Sequence, residues 1–282
     1  MSQAAALTVT APALDTAVTR TLAARVALAA FALSAALLIP LAWWIPGLAA
    51  WTVSAVLVWR SGSTALRHRM GVLLMAVLVL AAVPIGTDLG NANFLRVGGA
   101  FLAVVVGPWA WLRRRDPGVI EYTIFPKRWN AVQIGYVLLS VPLAWAIVHW
   151  YFFVLTPEMP LQWPVDAQSP RSQIWRLFGG INGVGIWDEL FFVNTVYAVL
   201  RSLFPARWAN LAQAVVYTSV LNDMAFIGAG PVIVYCFALT QGVMYERTRA
   251  LIYVLAVHLI VDAFLVKAIL HYHQPASIPF HL

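Results

Sequence analysis

Residues 174–200, IWRLFGGINGVGIWDELFFVNTVYAVL, decide the fold. The run exceeds the roughly 20 predominantly apolar residues that a helix needs to cross a hydrocarbon core. Yet it holds two adjacent acids, Asp188 and Glu189. An ionised carboxylate at bilayer depth costs about 2.5–3.5 kcal/mol on insertion scales, so acids there face a polar interior and mark function by default. Two further apolar stretches repeat the pattern. AVVYTSVLNDMAF (214–226) carries Asn222 and Asp223, and LIYVLAVHLIVDAFLV (251–266) carries His258 and Asp262. The last two are four residues apart and share a helical face.

Composition agrees with that reading. With 62% hydrophobic residues, 10% charged residues and a mean hydropathy of +0.80, the chain reads as an all-α polytopic membrane bundle. Apolar runs predict about nine spans, near 22–40, 42–59, 70–86, 95–112, 131–155, 174–200, 208–226, 231–246 and 250–270, and they leave no room for a separate soluble domain. The single Cys236 lies in an apolar run, which excludes a disulfide framework and a thiolate metal cluster. The net charge of +7 comes from short basic clusters between spans. Such clusters read as topology signals set against anionic lipid, so the expected partner is membrane lipid and not nucleic acid.

The clusters also orient the chain. Arg20 and Arg25 precede the first span, Arg60, Arg67 and Arg69 follow the second, and Arg113, Arg114 and Arg115 follow the fourth. Arg201 and Arg207 separate the sixth and seventh, and Arg247 and Arg249 the eighth and ninth. The alternation predicts a cytoplasmic N-terminus in a plasma membrane of bacterial inner-membrane type, with loop 157–173 outside. Residues 1–20 read as a disordered cytoplasmic segment without the charged n-region of a removable signal peptide. The expected division is a transmembrane scaffold over 21–115, a cytoplasmic connector over 116–130, a polar-cored bundle over 131–270 and a solvated tail over 271–282. Trp43, Trp44, Trp59, Trp111 and Trp208 sit near predicted span ends, as interfacial belts require.

Counting residues places the polar groups at a common depth. Glu189 lies twelve residues before Arg201, Asn222 fifteen after Arg207 and His258 nine after Arg249. At 1.5 Å per residue these distances are about 18, 22 and 14 Å from the basic edge. Asp188 and Glu189 point about 100° apart on a helix and are expected to take different partners. Carboxylates in a dry site serve as general bases, and a neighbouring histidine donates to a developing oxyanion; the set suits hydrolysis by activated water. Packing of the same groups against one another is the structural alternative. GGINGVG (179–185) reads as close helix packing, since no strand precedes it to make a phosphate loop.

The segment DELFFVNTVYAVLRSLFP (188–205) resembles the EELxFRG…LLRRxFP signature of the CPBP intramembrane proteases, which include the type II CAAX prenyl endopeptidases. CFALTQGVMYERTRALIYVLAVHLIVDAF (236–264) resembles the downstream block of that family, and the resemblance covers residues 174–266. It implies a CPBP-like core with Asp188, Glu189, Asn222, His258 and Asp262 at the catalytic positions and Asp223, Phe192 and Tyr217 in support. It further implies an endopeptidase that cleaves a membrane-associated or prenylated peptide with carboxylate-activated water, without a metal or another cofactor. The chain departs from the motifs at three points. Asp188 replaces the first glutamate, Val193 the arginine and Asn222 the motif-two histidine, which leaves a group able to orient water but not to shuttle its proton. A catalytically degenerate homologue that binds a partner protein, peptide or lipid is therefore the second reading.

Overall fold

Apolar side chains on all sides, with Thr21 and Ser63 opening two of the helices, explain where the helices form. A computed structural model describes residues 21–129, 131–166, 168–222, 227–273 and 280, and among them no strand occurs. The helices are α1 (Leu22–Leu38), α2 (Trp44–Arg60), α3 (Thr64–Ala81), α4 (Asn91–Arg115), α5 (Ala131–Trp150), α6 (Arg171–Asp188), α7 (Ala206–Asn222), α8 (Gly230–Thr248) and α9 (Leu251–His273). A single π-helical turn, Tyr151–Leu155, ends α5. A longer π-helical stretch, Glu189–Tyr197, and a last α-turn, Ala198–Arg201, extend α6 to a continuous 31-residue rod. The order matches the nine expected runs. Among the described residues, five rods, against nine expected spans, are long and apolar enough to cross a membrane: Thr64–Ala81, Asn91–Arg115, Ala131–Leu155, Arg171–Arg201 and Leu251–His273. The protein is an integral membrane protein.

Local chemistry explains the boundaries. Thr21 caps α1 by accepting from the Ala24 amide, and Ser63 caps α3 by accepting from the Leu66 amide. That second cap corrects the third span, expected over 70–86: the helix begins at Thr64 and stops before Pro84 and Gly86. Arg69 is consequently helical and buried, with Nη1 donating to the Ser202 carbonyl at 3.2 Å and Nη2 3.5 Å from Asp116 Oδ1. It fastens α3 to the connector and to the end of the α6 rod, a tertiary role that a topological charge does not have. The far end of the chain also departs from expectation. His271 and His273, placed in a solvated tail by the sequence, form the last turn of α9, and Phe280 packs near His149, Phe153 and His271.

Two ends of the bundle are distinct. At the basic end, Leu251 and Ile252 donate their amides to the Thr123 and Ile124 carbonyls at 2.9 Å, so the connector ties off the otherwise unpaired N-terminus of α9. At the opposite end, Arg176 donates to the Leu89 carbonyl and Tyr151 to the Ile227 carbonyl. One apolar core runs through α1 to α4 and α6 to α9, and a second joins α5, α9 and loop 157–165. Trp43, Trp44, Trp59, Trp111 and Trp208 are exposed, as belt residues should be.

Candidate functional site

The site is assembled around one imidazole. His258, on α9, is buried and has carboxyl groups at both ring nitrogens. Nδ1 lies 2.7 Å from Glu189 Oε1, while Nε2 lies 3.5 Å from Asp188 Oδ2 and 3.6 Å from Asp262 Oδ1. Tyr217, one turn before the end of α7, brings its hydroxyl to 3.1 Å from Nδ1. Gln241 of α8 donates from Nε2 to Glu189 Oε1 and to the Val254 carbonyl, both at 2.9 Å. Four helices therefore converge on His258.

Asp188 and Glu189 do not take unrelated partners; they engage opposite nitrogens of the same ring. The reason is local. The helix passes from α to π geometry at Glu189. The wider π turn holds more residues, so consecutive side chains diverge by less than the 100° of an α-helix. π-helical segments within α-helices are frequent at functional sites.

The two acids, both buried, differ in their relation to a cavity. A cavity of about 470 Å³ runs between α4 and α6, walled by apolar side chains that include Phe94, Phe101, Leu102 and Ile181. Asp188, His258 and Asp262 line its inner end; Glu189 does not, being fully buried behind the ring. Asp188 Oδ1 and Asp262 Oδ2 have no hydrogen-bond partner among the described residues. Gly185 makes room for this arrangement, since a Cβ there would overlap the Asp262 carboxylate and press on the His258 ring.

Phe192 packs on Tyr217 with ring centroids 4.3 Å apart. Asn222 ends α7, half-buried, and makes no hydrogen bond among the described residues, so it stands apart from the linked set. Asp223 lies outside the described residues. Val193, at the motif's arginine position, is fully buried. Gly185, in the GGINGVG stretch expected to pack closely, does so against α9; Gln241 escaped the sequence reading, although a lone amide within an apolar run is the same kind of signal that identified Asp188. A second polar link also escaped it: Glu246, in YERT, accepts from Tyr197, Arg201 and Arg249 and ties α8 to the α6 rod.

No group of three or more His, Cys, Asp and Glu side chains among the described residues has an arrangement able to hold a metal ion. The close approach of Glu189 Oε1 to His258 Nδ1 lets a proton be shared between them, so the imidazole can offset part of the charge that three buried carboxyl groups would carry.

Residues 170–264, 95 of the 282, match the family model described as type II CAAX prenyl endopeptidase Rce1-like. No curated protein and no solved structure matches the chain. The match contains Asp188, Glu189, Tyr217, Gln241, His258 and Asp262, and it bears out the resemblance read from the two motif blocks. The C-terminal half of this helical membrane protein thus contains a region, about a third of the chain, similar to the type II CAAX prenyl endopeptidase Rce1-like family.

Proposed function

We propose that the protein is an intramembrane endopeptidase that cleaves a membrane-associated peptide. The observation that carries this reading is the split between the two acids. Asp188 lines the apolar cavity, while Glu189 is sealed behind His258. In this reading Asp188 takes a proton from water as the resulting hydroxide attacks the scissile carbonyl. His258 donates from Nε2 to the oxyanion, and the proton on Asp188 passes to the leaving amine as the C–N bond breaks. Glu189 and Gln241 are positioning residues that keep Nε2 turned to the cavity. Asp262 shares Nε2 from one turn along α9 and stabilises the imidazolium. The apolar walls suit a substrate delivered from lipid, prenylated or carrying an apolar segment.

A second reading has its own support: Asn222 stands outside the set and Val193 is apolar, so two polar groups of the family motif are missing. A non-catalytic receptor would hold the same apolar partner in the same cavity. Asp188→Asn and His258→Ala, expressed at wild-type level in the native membrane, separate the two. The peptidase reading expects new peptide termini in the membrane proteome that depend on the wild-type chain and fall by about 10²–10⁴-fold in either variant. Retained biological function in both variants would sink it.

The placement extends to the cell. With the basic end cytoplasmic, in an inner or plasma membrane, residues 21–115 serve as scaffold for the bundle over 131–270.

A further inference from the structure

A second concavity, of about 660 Å³, lies at the basic end of the bundle, away from His258. Its walls come from the connector, the start of α5, the end of the α6 rod, the end of α8 and the start of α9. Five cations line it: Lys127, Arg128, Arg201, Arg247 and Arg249. One lining acid, Glu121, faces them. Glu246 engages Arg201 and Arg249 at 2.9 and 2.8 Å, whereas Lys127, Arg128 and Arg247 have no ion pair among the described residues. The surplus is positive.

Two features distinguish this concavity from an ordinary basic loop. It is built: the amide bonds from Leu251 and Ile252 to the Thr123 and Ile124 carbonyls hold the connector across the start of α9. Arg249 is fixed by an ion pair and by a left-handed backbone, φ 51°, that ends α8. It also contains an unsatisfied acceptor. Gln133 lines it at 9% exposure, and its Oε1 finds no hydrogen-bond partner among the described residues. A buried amide oxygen without a donor costs about 1–3 kcal/mol. A ligand that brings both an anion for the cations and a hydroxyl for Gln133 relieves both deficits.

We propose that this concavity binds a phosphate group next to a free hydroxyl, as in a glycerol phosphodiester. Basic recesses of this kind on the cytoplasmic side of transmembrane helices hold anionic lipid headgroups. A soluble glycerol phosphate has the same chemistry. The proposal does not depend on the peptidase reading, because no residue of the His258 set lines the concavity.

The test is native mass spectrometry of the full chain released from neutral detergent, titrated separately with phosphatidylglycerol, phosphatidylcholine, glycerol 3-phosphate and inorganic phosphate. One stoichiometric adduct with phosphatidylglycerol, at least tenfold tighter than with phosphatidylcholine, is expected. A K127Q/R128Q/R247Q variant should lose it by tenfold or more, and Q133L by several-fold. Arg113→Gln/Arg114→Gln/Arg115→Gln, equal in charge removed and outside the concavity, should retain it. Equal binding of glycerol 3-phosphate would make the ligand a soluble phosphate, and binding of phosphatidylglycerol alone makes it a lipid. No adduct with any of the four, or equal loss in the two triple variants, would overturn the proposal.

Discussion

At the residue scale, Gly185 and Glu189 show how tightly the imidazole is held. Gly185 is where α6 meets α9, and a methyl group there collides with the Asp262 carboxylate. Gly185→Ala should destabilise the fold by about 1–3 kcal/mol, the usual cost of overpacking. Gly183, two residues away, has open space around it, so Gly183→Ala should cost nothing and gain up to about 1 kcal/mol of helix propensity. Thermal unfolding of both variants in one detergent checks the contrast; equal behaviour would contradict the close approach. Glu189→Leu removes the acceptor of Gln241 Nε2 and the partner of His258 Nδ1 at a fully buried position. Gln241 Nε2 keeps the Val254 carbonyl and His258 Nδ1 keeps only the longer contact to the Tyr217 hydroxyl, and a lost hydrogen bond to a charged group is worth about 1.5–3 kcal/mol. The loss should therefore exceed that of Gln241→Leu, measured in the same way.

At the element scale, contact between α4 and the α6 rod shapes the wall of the site cavity. Trp187 stacks on Phe101 with centroids 3.5 Å apart and planes inclined by 8°, and its Nε1 donates to the Phe101 carbonyl at 2.8 Å. Trp187 also stacks on Phe191, so one aromatic column spans the change from α to π geometry next to Asp188. Trp187→Ala should cost about 3–5 kcal/mol. Trp187→Phe, which keeps a ring and loses the N–H donor, should cost nearer 1 kcal/mol. Denaturation midpoints for the pair test whether stacking or the hydrogen bond dominates. The π-helical stretch was not legible in the sequence. The apolar run 190–193 reads equally well as α or π, and the stretch takes the wider turn where it packs against α4, α7, α8 and α9.

At the scale of the whole molecule, the bundle has a basic end, where Arg69 meets Ser202 and Thr123 meets Leu251, and an opposite end, where Arg176 meets Leu89. The positive-inside rule turns that asymmetry into an orientation. In a Cys236→Ser background, Ser169→Cys should react with an impermeant thiol reagent added to intact cells, whereas Ser61→Cys should react only after the membrane is opened. The reverse pattern would invert the topology and place the phosphate concavity outside.

The sequence by itself determined the order of the helices among the described residues and the three segments from which the polar site is drawn. It also determined the His258–Asp262 face and the Rce1-like signature. These are properties of composition, periodicity and charge placement along the chain, and each depends on neighbours within a few residues. Tertiary structure alone decided that Asp188 lines the cavity while Glu189 backs the imidazole, that Tyr217 and Gln241 join them, that Asn222 stands aside and that Arg69 is a buried staple. Each of these depends on the rotational phase of one helix against another. That phase is set by contacts between residues far apart in the chain: Gly185 under Asp262, Trp187 on Phe101, and Ser202 over Arg69. No local pattern encodes such pairings, because each side chain is chosen for a neighbour that only the folded bundle supplies.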